Sequence, residues 1–245
     1  MTSRLRAAGR LLRCVLHGAH GVLIVLLRFG SMPTAERQRH VQWWAMKTLR
    51  LMGITLRVEG APVAGAVLMV ANHISWLDIM AVHAVCPHAR FVSKADVKSW
   101  PLMRHLVDAA DTLYLERERK RDALRVVHAM AEALKAGDTV AIFPEGTTSD
   151  GQVLLPFHAN LLQAAIATET PVQPVALRFS DSTHAVSRAV EFVGATTLAQ
   201  SLWMVASGDE LLVRVALLSP RATTLADRRG LAEQLRSDIA AALAA

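Results

Sequence analysis

The chain has 245 residues, enough for one large α/β domain with a sizeable core, and hydrophobic residues make up 52% of it. A formal net charge of +6 points to an anionic partner: nucleic acid, acidic lipid or a phosphorylated small molecule. Two cysteines, Cys14 and Cys86, without a CxxC pair, argue against a disulfide framework and a thiolate zinc site and fit a reducing, cytoplasmic setting.

The N-terminus selects acidic lipid over nucleic acid. Arg4, Arg6, Arg10 and Arg13 precede an apolar run from Cys14 to Leu27 that Arg28 closes. Fourteen helical residues span about 21 Å, short of the ~30 Å hydrocarbon core. His17 and His20 within the run suit lipid tails poorly, and no small-residue cleavage site follows. The expectation is a helix that dips into one leaflet with its arginines at anionic headgroups, on the cytoplasmic face of the cell (inner) membrane. A buried soluble helix with a basic start is the alternative. After "GSMPT", Val41, Trp44, Thr48 and Leu51 recur at helical spacing over 35–52, and Gly53 ends the helix. Residues 1–52 therefore read as a membrane-associated helical hairpin with Trp43 and Trp44 at the interface, and 53–245 as an α/β domain.

From residue 54, strands and helices alternate. Strands are predicted at 54–60, 66–71, 89–94, 111–116, 138–143, 171–179, 188–194 and 210–218. Helices are predicted at 75–85, 99–107, 117–136, 160–169 and 223–243, the last starting at a threonine cap. Apolar strands separated by helices imply a mostly parallel central sheet flanked by helices on both faces.

Ligands of such sheets bind beyond the carboxyl ends of the strands, and three predicted strands end in polar residues. "VLMVA" runs into Asn72 and His73, "TLYLE" into Arg117, and "TVAIF" into Pro144, Glu145, Gly146 and Thr147. His73 and Asp78 are five residues apart. In one helix they would stand roughly 140° apart and could not touch. His73 must sit in the strand-to-helix loop and fold back to Asp78 in the first turn, an arrangement that fixes the imidazole tautomer for a general base. "SWLD" also matches a capping box with Ser75 as N-cap and Asp78 as its partner, which explains those two residues without chemistry. Ser75 as a hydrolase nucleophile lacks the G-x-S-x-G elbow.

"NHISWLD" followed by "FPEGTTS" resembles the glycerolipid acyltransferase family, whose hallmark is an NHxxxxD block. Asn72, His73, Ser75 and Asp78 match the first block, "LYLER" ending in Arg117 the second, Phe143 to Thr147 the third, and "VQPVAL" (172–177) the fourth. Lys94 in "FVSK" fits a lysine between the first two. The resemblance covers about residues 55 to 180. It implies transfer of a fatty acyl group from an acyl thioester to the free hydroxyl of 1-acylglycerol-3-phosphate, giving phosphatidic acid. His73 and Asp78 would be catalytic; Asn72, Ser75, Lys94, Arg117, Glu145, Gly146 and Thr147 would bind substrate, and backbone N–H groups near the helix start would stabilise the oxyanion. The donor would be acyl-CoA or acyl carrier protein, with no tightly bound cofactor and no metal. Two departures bear on the acceptor: Thr148 stands where many members have arginine, and "FHAN" (157–160) replaces a basic element. Other lysolipids, such as lyso-ornithine lipid, are the alternative acceptors, and a non-catalytic membrane-binding protein is the remaining class.

Overall fold

A computed structural model describes residues 3–94, 103–115 and 120–245, with the side chains at positions 3, 94, 103, 115 and 120–123 left undescribed. Among the described residues, strands β1 (Ile54–Glu59), β2 (Val67–Ala71), β3 (Arg90–Lys94), β4 (Leu113–Leu115), β5 (Thr139–Ile142), β6 (Val172–Ser180) and β7 (Leu211–Leu217) form one sheet. Its order is β1-β7-β6-β2-β5-β3-β4. All neighbours run parallel except β6 and β7.

The central strand β2 is apolar throughout because both its faces are covered. In β2 all five side chains are buried, and pleating sends them to opposite sides. Val67, Met69 and Ala71 join one core cluster with helices α2 (Thr34–Leu51) and α3 (Leu77–Val85). Leu68 and Val70 join another with α5 (Lys120–Lys135), α6 (Gln163–Ala167) and α8 (Arg228–Ala244). The predicted α/β architecture is the observed one.

Helix α1 runs continuously from Ser3 to Arg28, beyond the apolar segment at its amino end. By length and composition the whole helix is long enough to cross a membrane. Its inner side is committed to protein, however. Ala7 is fully buried, Arg10 donates to the carbonyls of Ala206 and Gly208 at 3.1 and 2.7 Å, and Arg6 pairs with Asp209 at 3.1 Å. Gly53, at φ +81°, leaves room for the Arg10 guanidinium, which a Cβ there would meet at 2.2 Å. Between α1 and α2, His17 Nε2 lies 3.1 Å from the Trp44 carbonyl, and Trp44 Nε1 donates to His17 O at 3.3 Å.

Three local expectations are corrected. Residues 188–194 hold a 3₁₀ turn (Arg188–Val190) rather than a strand; there the Ser187 hydroxyl accepts from Ala189 N–H, and Val190 points inward. Helix α7 (Leu198–Ser207) was not foreseen, although Thr197 and Gln200 form a full capping box at its start. The last helix begins at an Asp227 cap, not at a threonine: the Thr223 hydroxyl is drawn instead to the carbonyls of Ala165 and Thr170. Helix α4 spans Met103–Ala109; the predicted start at 99–102 lies outside the described residues.

Candidate active site

Strands β2 and β5 are parallel neighbours, Val67 to Val70 opposite Thr139 to Ile142. Their carboxyl ends therefore place Asn72-His73 beside Phe143-Pro144-Glu145. The His73–Asp78 contact predicted from spacing is present: Nδ1 lies 2.7 Å from Asp78 Oδ2. The same oxygen accepts from the N–H groups of Ile74 at 2.6 Å and Ser75 at 2.9 Å. Asp78 thus orients the imidazole and caps the loop at once, so the two readings of "SWLD" meet in one carboxylate. The capping box is only half formed, since the Ser75 hydroxyl is buried without a hydrogen-bond partner, as is Asp78 Oδ1. The Asp78 side chain is fully buried, whereas that of His73 is 19% exposed.

His73 is fixed on every side but one. Its ring stacks on Phe143 with centroids 4.0 Å apart and planes 8° from parallel. Its N–H donates to Glu145 Oε1 at 2.7 Å, and its carbonyl accepts from Ser149 N–H at 2.8 Å. With Nδ1 on a carboxylate, the Nδ1–H tautomer is favoured, which leaves the Nε2 lone pair to take a proton.

Three of the expected substrate-binding residues are not open to a ligand in this arrangement. Asn72 is buried because its amide closes a two-way bond with Leu177, donating to its carbonyl at 2.9 Å and accepting from its N–H at 2.8 Å. This ties the loop to β6. Ser75 is fully buried. Glu145 is 4% exposed, and its oxygens accept from His73 N–H and, at 2.9 Å, from Leu155 N–H. Burial pushes the Glu145 carboxyl above the usual range, against the two backbone bonds that favour its charged form. The N–H groups of Ile74 and Ser75, just ahead of α3, are likewise taken, both by Asp78.

Gly146, at φ +69°, and Thr147 line a cavity of about 420 Å³ beside His73, within the usual size of small-ligand sites. Thr148 lines it too, with its hydroxyl donated to the Phe192 carbonyl. The cavity runs from His73 and Phe143 to apolar residues of α1 and α2, among them Ile24, Val25 and Trp44. Phe192 and the α1 wall were not foreseen as site residues; the only sequence signal was their apolarity. Among the described residues no lysine or arginine lines this cavity. Arg117 lies outside the described residues. Lys94 ends β3, and its side chain is likewise outside the description.

The Acyltransferase family model matches residues 54–178. The lyso-ornithine lipid O-acyltransferase of Pseudomonas aeruginosa is 35% identical over 87% of this chain and 82% of its own length. The 1-acyl-sn-glycerol-3-phosphate acyltransferase of Neisseria meningitidis is 37% identical over 73% of this chain and 69% of its own. The crystal structure of the 1-acyl-sn-glycerophosphate acyltransferase PlsC from Thermotoga maritima superposes with a TM-score of 0.71 over 96% of both chains at 20% identity, a likeness of fold. The chain belongs to the glycerolipid acyltransferase family.

Proposed function

We propose that this acyltransferase moves a fatty acyl group from an acyl thioester, acyl-CoA or acyl carrier protein, to the free hydroxyl of a lysolipid. The observation that carries the reading is the His73–Asp78 pair at the mouth of an apolar cavity. His73 Nε2 takes the proton of the acceptor hydroxyl as its oxygen attacks the thioester carbonyl. The tetrahedral intermediate collapses with loss of the thiolate, which recovers the proton from the imidazolium. General-base help of this kind is worth about 10²- to 10⁴-fold. The thioester already carries a good leaving group, so no acyl-enzyme is needed. The apolar cavity takes the acyl chain.

The acceptor we advance first is 1-acylglycerol-3-phosphate, giving phosphatidic acid. The motif set and the Neisseria relative support it, with Arg117 and Lys94 as its phosphate ligands and Gly146 and Thr147 at the glycerol. Lyso-ornithine lipid is the second reading. It is favoured by the Pseudomonas relative and by a described cavity rim in which Thr148 offers a hydroxyl, already bonded to Phe192, and no cation. Incubation with one acyl thioester and a panel of lysolipids, with products identified by mass, separates the two.

The enzyme acts at the cytoplasmic face of the cell membrane. Leu5, Leu12, Leu16, Leu23 and Leu27 of α1 are each more than half exposed. At 100° per residue they fall within about 60° of one another, with Arg4 and Arg13 about 100° and 80° to either side. An apolar stripe between two arginines fits a helix lying in an anionic leaflet while its other face stays on the domain.

A further inference from the structure

The frame around His73 extends to a residue far from the recognised motifs. Glu145 reaches His73 N–H with one oxygen and Leu155 N–H with the other. Leu155 sits in a stretch without regular secondary structure, so its peptide needs a separate anchor to stay in place. Arg236 of α8 supplies it. Arg236 Nη2 donates to Leu154 O at 2.8 Å and Nε to Leu155 O at 3.2 Å. Leu154 O and Leu155 N–H belong to the same peptide group. A cation therefore acts on one end of that peptide and a carboxylate on the other, a sequence in which each hydrogen bond polarises the next.

We propose that Arg236 is a positioning residue for acyl transfer, acting through the Leu154–Leu155 peptide and Glu145 on the backbone of His73. The proposal rests on the acyltransferase reading above. Arg236 lies outside residues 54–178, which the family model matches. It touches no cavity-lining atom in the described contacts, so its influence runs through the loop and not through substrate. In the same frame Glu145 braces the histidine and leaves the acceptor to other groups.

The test compares full-length wild type with Arg236→Gln, Arg236→Lys, Glu145→Gln and the Arg236→Gln/Glu145→Gln double variant. Each is assayed for kcat, both KM values and melting temperature, with a lysolipid that the wild type acylates. Small misplacements of reacting groups cost up to about 100-fold, so Arg236→Gln is expected to lower kcat about 10- to 100-fold at nearly constant KM. Arg236→Lys, which keeps the charge but can serve only one carbonyl well, recovers part of that loss. Glu145→Gln lowers kcat in the same way, and the double variant is no worse than the poorer single, as for groups acting in one chain. Unchanged kcat in both Arg236 variants, whatever happens to the melting temperature, overturns the proposal. A raised acceptor KM with unchanged kcat in Glu145→Gln also overturns it, by returning Glu145 to substrate binding. A wild type that acylates no lysolipid brings down the acyltransferase reading itself, an outcome distinct from these two.

Discussion

The imidazole of His73 lies flat on the ring of Phe143, 4.0 Å between centroids. Asp78 sets the rotation of the imidazole about its tether, and Phe143 sets its plane. Aromatic pairs of this kind contribute about 0.5 to 1.5 kcal/mol beyond burial. Phe143→Leu keeps an apolar side chain but removes the flat platform. Its kcat should fall by up to about 10-fold with little change in KM, read by steady-state kinetics.

The apolar wall that α1 contributes to the cavity predicts chain-length selection. Val25 lines the cavity, so Val25→Phe takes volume from its α1 side. Competition between short and long acyl thioesters should show the variant shifted toward shorter chains. An unchanged product distribution would place the acyl chain elsewhere.

The leucine stripe on α1 predicts how the enzyme holds to lipid. Replacing Leu12, Leu16 and Leu23 by glutamine should lower co-sedimentation with vesicles containing phosphatidylglycerol, without lowering the melting temperature, because these side chains touch solvent. Binding of the wild type should weaken as salt rises through the range where the Debye length falls from about 10 to 3 Å.

His83 on α3 predicts the acid limit of stability. Burial holds its pKa down at about 4, from an ordinary 6.5. The native state therefore binds fewer protons than the unfolded chain between those values. Stability from this group is fully present above pH 6.5 and is lost as pH falls toward 4, by roughly 3 kcal/mol in all. Urea unfolding of wild type and His83→Leu at pH 7 and pH 4.5 checks this: the variant should lose less on acidification.

Much of the fold was legible because its signals are local. The buried runs of β2 and β5 and the stop at Gly53 can be read within a few residues of themselves. The meeting of His73 and Asp78 followed from five residues of spacing and a helix turn. The strand order did not, since β2 takes neighbours from more than 70 and 100 residues away, nor did the antiparallel run of β7 on β6. Residues 188–194 misled because alternating apolar residues read as a strand, while the fold uses Phe192 as a cavity wall. Asn72 and Glu145 stand out at their strand ends in the sequence, but their partners, Leu177 and Leu155, could be found only in three dimensions. Arg236, 81 residues from Leu155, carried no sequence signal.

The central claim is that the His73–Asp78 pair drives acyl transfer to a lysolipid. Mass-spectrometric measurement of diacyl product from an isotope-labelled acyl thioester and a lysolipid, for wild type, His73→Ala and Asp78→Asn at matched folded concentration, tests it most directly. The account predicts labelled diacyl lipid with wild type and rates lowered about 10²- to 10⁴-fold in both variants, with circular dichroism and vesicle binding unchanged. Near-wild-type rates in His73→Ala would contradict it.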